Sequence, residues 1–253
     1  MRRHSMKGQN TFTEESANAE QILGVMRDYQ RLELGVILRG EEILSFDSTV
    51  KDWLASFDVY EEWRFFGKFL NKVFQLNIGQ QEWQTILRPE GQKKLREVCE
   101  FVALRATLPR LNEQRILGGN CRNGSAFLGL RYQLQQKGVV LGAIRPSSKL
   151  GDYLRLHSDE IISTIIRVAP GKMPAVKWRN NLGSKISGCF FLASILALGF
   201  ASAFSKPAIE FLAVLCVALS FLAATAFSKL PPKSVSIEGC ETFADLSRLI
   251  ATG

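Results

Sequence analysis

The chain has 253 residues and a formal net charge of +8, with two histidines and five cysteines. The charge is uneven: +1 over residues 1–19, +2 over residues 20–166 and +5 over residues 167–253. The nearly neutral body argues against nucleic acid as a partner. The histidines and cysteines show no metal-ligand spacing, so we expect no metal site and no cofactor.

Residues 1–19 are polar and lack the apolar core of a signal peptide, which predicts a disordered tail. Residues 20–166 predict a soluble helical domain, because apolar residues recur there at helical spacing. A first stripe comprises Trp63, Phe66, Leu70, Val73 and Phe74, and a second, after a break at Pro89 and Gly91, comprises Leu95, Val98, Cys99 and Val102.

The rest of this domain suggests further helices but no chemistry. A glycine-rich loop at residues 118–124 lacks the Lys-Ser/Thr ending of a phosphate-binding loop. Ser125 is predicted to cap a helix that runs to Gly138, and Ser147 or Ser148 to cap another. His157 falls on the apolar face of that last helix, with Leu150, Tyr153, Leu154, Ile161 and Ile165. A core or edge role fits His157 better than catalysis, and the sequence contains no recognisable catalytic residue.

Residues 42–103 resemble an acyl carrier protein. Residues 43–54 are similar to the opening of that family's core, residues 62–76 to its second helix, and residues 95–102 to its closing helix. Phe69, Leu70 and Phe74 stand where that family's second helix has apolar residues. The family's Asp-Ser-Leu is here Asp58-Val59-Tyr60, so no serine is present to carry phosphopantetheine. The resemblance implies the fold and a docking role without thioester carriage.

A second, fainter similarity involves the two sides of a long insertion. Residues 145–154 resemble another such opening, and residues 241–250 resemble a closing helix capped by Thr242. One interpretation is a degenerate second copy of the module, interrupted by residues 186–227. The other is a short capped terminal helix that follows a strand-like segment at residues 234–238.

The interrupting segment contains two uncharged apolar runs, of nineteen residues at 186–204 and seventeen at 211–227, joined by a short break at residues 205–208. About twenty apolar residues in a helix cross a hydrocarbon core of roughly 30 Å. We therefore predict a transmembrane hairpin at residues 186–227. The alternative is a buried helical hairpin inside a large soluble protein.

The flanks of this segment are basic, which predicts cytoplasmic termini and attraction to anionic lipid headgroups. Residues 167–185 are interpreted as a juxtamembrane linker and residues 228–253 as a short C-terminal segment with one helix. The predicted membrane flanks are Lys177, Trp178, Arg179, Lys185, Lys229 and Lys233.

Small residues repeat along both apolar runs, at Ala193, Ala197, Ala201, Cys216, Ser220 and Ala224. Such stripes allow close helix packing in lipid. We expect them to close the hairpin on itself, with assembly of a homo-oligomer as the alternative. The runs contain no internal ionisable residue of the kind that marks a transport path.

Together these observations predict an all-α, multi-pass membrane protein: a cytoplasmic helical domain, a transmembrane hairpin and a short terminal helix. The predicted function is that of a membrane-anchored, non-catalytic adaptor that docks an unidentified protein partner. One alternative is an oligomerising two-pass membrane effector of the toxin or defence type, gated by its soluble domain. Another is a membrane enzyme of lipid or acyl metabolism.

Overall fold

The computed structural model describes residues 11–33, 44–55, 63–116, 119–140, 144–179 and 234–252. The helices in these ranges are α1 (Ala19–Glu33), α2 (Val50–Ala55), α3 (Trp63–Phe74), α4 (Gln80–Leu87), α5 (Leu95–Ala103), α6 (Arg122–Gln136), α7 (Leu150–Val168) and α8 (Phe243–Ala251). The strands are β1 (Phe12–Ser16), β2 (Thr107–Leu111), β3 (Arg115–Ile116), β4 (Gly119–Asn120), β5 (Val176–Arg179) and β6 (Ser234–Ile237).

These strands show that the all-α prediction is wrong. They form three two-stranded sheets, in which β1 pairs with β2, β3 with β4, and β5 with β6. The β1–β2 pair is antiparallel, with Phe12 opposite Leu111 and Ser16 opposite Thr107. Strands of two to five residues are too short to show a period of two in the sequence. β1 also lies inside the segment that was predicted to be a disordered tail.

The prediction of a multi-pass membrane protein with cytoplasmic termini is corrected as well. Across the ranges that the structure describes, no helix is both long and apolar enough to span a bilayer. The longest of them, α7, has nineteen residues but carries charged side chains along its length, among them Asp152, Arg155 and Asp159. The two apolar runs of the predicted hairpin, residues 186–204 and 211–227, lie outside the described residues.

Backbone contacts divide the chain into two compact units. The first comprises Met1–Leu150, His157–Lys177 and Ser236–Gly253, and the second comprises Gly151–Leu156 and Trp178–Val235. Most of the described core belongs to the first unit, where α1 packs against α5 and α8 packs against α6. Both predicted apolar stripes are buried, in α3 and in α5, which confirms those two helices.

A turn before α2 is hydrogen-bonded to the residues that begin α5, and we call residues 45–50 and 93–97 the first seam. Ser48 Oγ accepts a 2.9 Å hydrogen bond from the amide of Ser45. The carbonyl of Ser48 accepts a 2.8 Å hydrogen bond from the amide of Leu95. The seam therefore fixes the start of two helices that are distant in sequence.

The same pattern recurs where α7 and α8 begin, and we call residues 145–150 and 241–245 the second seam. Ser148 Oγ accepts a 3.0 Å hydrogen bond from the amide of Arg145. The carbonyl of Ser148 accepts a 3.2 Å hydrogen bond from the amide of Phe243. Each of these two hydrogen bonds joins the same kinds of atoms, at corresponding positions, as its counterpart in the first seam.

The helices that leave the two seams also start alike. In α5 the Glu97 carboxylate accepts a hydrogen bond from the amide of Lys94, and in α8 the Asp245 carboxylate accepts one from the amide of Thr242. In α8 this bond is one half of a capping box, because Thr242 Oγ1 also accepts from the amide of Asp245. In α5 only the Glu97 half is present, because the Lys94 ammonium has no acceptor. The Thr242 cap and strand β6 match the prediction of a short capped terminal helix after a strand-like segment. The interpretation of a second copy of the carrier-like module stays a prediction.

The two seams differ in the helices that follow them. After the first seam, α2 and α3 are separate helices. After the second seam a single long helix, α7, follows, and it is kinked at His157, whose backbone angles of φ −135° and ψ 36° are not helical. His157 is half-buried at this kink, in agreement with the predicted edge position.

Candidate interaction surface

The α3 helix is held in place by an aromatic cluster beneath it. Its buried side comprises Trp63, Phe66, Gly67, Leu70, Val73 and Phe74. The ring of Phe66 stacks on Trp53 of α2, with centroids 4.0 Å apart and planes 18° apart. Phe69 lies at the edge of the same cluster, 5.0 Å from Tyr29 and 5.2 Å from Trp53. Packing on one side therefore determines which residues α3 presents outward.

The end of α3 is fixed to α4 by polar contacts. Asn71 donates a 2.9 Å hydrogen bond to the carbonyl of Ile78 and accepts a 3.2 Å bond from Trp83 Nε1. Gly67 lies directly against the Trp83 ring, where an added Cβ would come within 2.8 Å of a ring carbon. The close approach leaves no room for a side chain at position 67, so α3 and α4 meet at a defined distance.

The outward side of α3 presents Arg64, Phe65, Lys68 and Lys72, and we call these four residues the α3 basic face. Phe65 is 37% exposed. Three cations follow each other at four-residue spacing, and α3 contains no Asp or Glu. Positions four apart in a helix lie on one side, so the cations form a row beside the aromatic ring.

The three cations of this row differ in the contacts that their charged groups make. The Arg64 guanidinium lies 5.2 Å from the centroid of the Trp63 ring, which restrains it by a cation–π contact. Lys68 and Lys72 are exposed and, within the described part of the chain, form no ion pair or hydrogen bond. Outside α3, the Arg105 guanidinium is paired with the Glu82 carboxylate at a nitrogen–oxygen distance of 3.0 Å.

The structure places only part of the predicted membrane flank. Lys177, Trp178 and Arg179 lie in β5, and Lys177 Nζ is 3.5 Å from a carboxylate oxygen of Glu238. Trp178 is 39% exposed. The remaining predicted residues, namely Lys185, Lys229, Lys233, Ala193, Ala197, Ala201, Cys216, Ser220 and Ala224, lie outside the described residues.

The predicted caps of α6 and α7 are displaced. Cys121 rather than Ser125 caps α6, and its thiol accepts a 3.4 Å hydrogen bond from the amide of Gly124. Ser125 is buried inside the helix. Lys149 precedes α7, while Ser148 shapes the turn before it. In the residues that the structure describes, no group of His, Cys, Asp or Glu is positioned to hold a metal.

Asp28 of α1 is the buried charged side chain with the clearest structural role. Its carboxylate accepts hydrogen bonds from the amides of Gly171, at 2.7 Å, and Met173, at 3.3 Å. Arg31 lies 3.3 Å away. Burial nevertheless raises the pKa of Asp28 to about 7, against the opposing effect of these hydrogen bonds and of Arg31. Asp28 joins α1 to the loop after α7.

The α3 basic face was not identified from the sequence, although the signal was present. The stripe that predicted a buried side for α3 also places the intervening Arg64, Phe65, Lys68 and Lys72 on the opposite side. Asp28 had no comparable signal, because its partners follow it by more than 140 residues in the chain.

Comparison with known proteins identifies no relative, since no family model, curated protein or solved structure matches this chain. The resemblance of residues 42–103 to acyl carrier proteins therefore stays a prediction. The segment where that family carries its serine, here Asp58-Val59-Tyr60, lies outside the described residues.

Proposed function

We propose that this chain is a non-catalytic adaptor that docks a protein partner through the α3 basic face. The observation that carries the proposal is the 37% exposed ring of Phe65 beside a row of cations on a rigidly packed helix. Aromatic residues, phenylalanine among them, and arginine are enriched in protein–protein interfaces relative to the rest of the surface.

The rigidity of α3 supports this assignment. A surface that is ordered before binding loses little conformational freedom when a partner arrives. The stacking of Phe66 on Trp53 and the Asn71 hydrogen bonds hold α3 without using the residues of the basic face. The docking role also agrees with what the acyl carrier resemblance implies.

A photo-crosslinking experiment tests the proposal. A benzophenone amino acid replaces Phe65 in the full chain, and irradiation in the cells that normally express it should yield a discrete protein adduct. The adduct partner is then purified and its direct binding to the unmodified chain measured by calorimetry. A second chain carries the same crosslinker at Arg145, which is exposed in the second seam.

The two positions give distinguishable outcomes. Docking through α3 predicts an adduct at position 65 that is absent at position 145, and binding by the purified partner. The same adducts at both positions, or a purified partner that does not bind, would show that the surface has no adaptor role.

A further inference from the structure

We infer that the contact between α1 and the loop after α7 is a pH-sensitive latch, which stays closed while the Asp28 carboxyl is neutral and opens more readily when that carboxyl is charged. The loop comprises residues 169–173, and we call it the latch loop. The latch uses no residue of the α3 basic face, so it does not depend on the proposed docking function.

Two side chains of α1 hold the backbone of the latch loop. Asp28 Oδ2 accepts a 2.7 Å hydrogen bond from the amide of Gly171, and Oδ1 accepts a 3.3 Å bond from the amide of Met173. Arg31 donates to Asp28 Oδ1 at 3.3 Å and to the carbonyl of Gly171 at 3.4 Å. Both backbone polar groups of Gly171 are therefore bonded to α1, and a change of charge at Asp28 acts on the loop directly.

The backbones of α1 and the latch loop are also in close contact. An added Cβ at Gly24 would lie 3.0 Å from the Gly171 amide nitrogen and 3.0 Å from the Pro170 carbonyl carbon. Gly171 has a φ of +77°, which glycine adopts without strain. The side chains of Ala169 and Met173 are buried on either side of it. The closed loop is thus a packed contact, whose opening exposes a small and defined set of groups.

A neutral Asp28 suits the closed loop better than a charged one. Its side chain has no exposed surface, and a buried carboxylate loses the hydration that stabilises its charge. Burial raises the pKa of Asp28 to about 7, although the two amide hydrogen bonds and Arg31 act in the opposite direction. An open loop would return water to the carboxylate and restore its ordinary pKa.

The charged and titratable groups on the elements around Asp28 offset its charge only in part. Arg31 of α1 is 42% exposed along its side chain, so water weakens its attraction. Lys172 of the latch loop is exposed. Arg167 of α7 lies 3.8 Å from a carboxylate oxygen of β1, and Cys99 of α5 is a neutral thiol, because burial raises its pKa to about 12. The response of the latch to pH therefore depends on Asp28 itself.

The latch loop lies at a point where its opening affects the course of the chain. It follows α7 directly and leads into β5. Within β5, between Lys177 and Trp178, the chain passes from the first compact unit to the second. A rise in pH through 7 therefore acts on the backbone that connects the two units.

Hydrogen exchange of the full chain at pH 5.5 and pH 8 tests the latch. Mass spectrometry of peptic fragments that cover residues 169–173 gives the protection factor of the loop, after correction for the pH dependence of exchange in an unfolded peptide. Asp28→Asn removes the titrating proton and keeps an acceptor oxygen, and Asp47→Asn is the matched control at an exposed aspartate. Urea unfolding of the same samples gives the stability of the whole fold.

We expect the protection of the latch loop to fall at least tenfold from pH 5.5 to pH 8. The closed loop binds the Asp28 proton more tightly than the open loop, so opening becomes easier by about tenfold per pH unit between the two pKa values. Protection in Asp28→Asn should change less than twofold, and Asp47→Asn should behave as the original chain does. At both pH values the loop should exchange faster than unfolding of the whole chain allows, because it opens locally.

Other results overturn the latch. Protection that is the same at both pH values, or that falls equally in Asp28→Asn, would show that Asp28 does not control the loop. Protection equal to the stability of the whole fold would show that the loop opens only when the chain unfolds. The two measurements on the original chain need no variant to fold, and each can refute the latch without the other.

Discussion

Asp28 Oδ2 accepts a 2.7 Å hydrogen bond from the amide of Gly171, a residue 143 positions further along the chain. The contact is possible because α1 and the loop after α7 approach at Gly24, where an added Cβ would lie 3.0 Å from the Gly171 amide nitrogen. A buried carboxylate thus connects α1 to the loop after α7. Its protonation should be coupled to folding.

The first prediction concerns pH. Burial raises the pKa of Asp28 to about 7 in the folded chain, whereas an unfolded aspartate titrates near its ordinary value. The folded state therefore binds the proton more tightly, and its stabilising effect is complete below about pH 4 and lost as pH rises through 7. At roughly 1.4 kcal/mol per pKa unit, up to about 4 kcal/mol of unfolding free energy should be lost.

Urea unfolding at pH 5, 7 and 9 measures the part of this loss that occurs above pH 5, about 3 kcal/mol. Asp28→Asn has no proton to release at this position, so its free energy of unfolding should change much less over this range. The difference in stability between the variant and the original chain should therefore shift in favour of the variant from pH 5 to pH 9. Asp47→Asn, at an exposed aspartate, is the control and should keep the original pH dependence. An unchanged slope in Asp28→Asn would contradict the assignment.

A second prediction concerns Gly129 of α6. A Cβ at this position would overlap Thr11 Oγ1 and come within 2.5 Å of the Phe12 ring, so β1 packs against bare helix backbone. Gly129→Ala should lower the free energy of unfolding by about 1–3 kcal/mol, because a packed contact must open. The helical control Gly151→Ala meets only the Val235 carbonyl oxygen at 3.7 Å and should be neutral or stabilising. Equal effects in chemical denaturation would refute the close contact.

The third prediction tests whether the seams are equivalent. Ser48→Ala and Ser148→Ala each remove a hydroxyl that accepts a hydrogen bond from the amide three residues earlier. Each should cost about 1 kcal/mol of unfolding free energy, since a turn amide loses its partner. Ser147→Ala is the control, because Ser147 is an exposed serine of the second seam that takes no part in these hydrogen bonds. It should leave the free energy of unfolding unchanged. If only Ser48→Ala lowers the free energy of unfolding, the Ser148 hydrogen bond does not stabilise the fold as the Ser48 hydrogen bond does, and the two seams are not equivalent.

The sequence predicted those helices whose buried side or cap is visible in the residues of the helix itself. The α3 and α5 stripes repeat at 3.6 residues because one side of each helix is buried, and Thr242 caps α8 through its own neighbours. Local capping rules failed at Ser125, which bonds to the Cys121 carbonyl and accepts from the Gln114 amide. That role depends on a loop before α6, which a search for caps does not consider.

Long-range pairing explains the remaining failures. β1 is a strand because β2, some ninety-five residues later, completes it, and its polar sequence gave no sign of this. The α3 basic face could have been read from the helix pattern, but its importance depends on the packing that exposes Phe65. The burial of Asp28 could not have been predicted, since nothing near it in the chain indicates that its side chain is buried.

The last prediction concerns the thiols. Cys99 is fully buried in α5, and burial raises its pKa to about 12, so at pH 8 the reactive thiolate is scarce and out of reach of reagents. Cys121 is exposed at the start of α6. Iodoacetamide at pH 8 should therefore alkylate Cys121 in the folded chain well before Cys99, as followed by mass spectrometry of the two peptides. Cys121→Ser should remove the fast adduct, and urea should make Cys99 reactive. If Cys99 in the folded chain reacts as fast as Cys121, α5 must open far more readily than its packing against α1 implies.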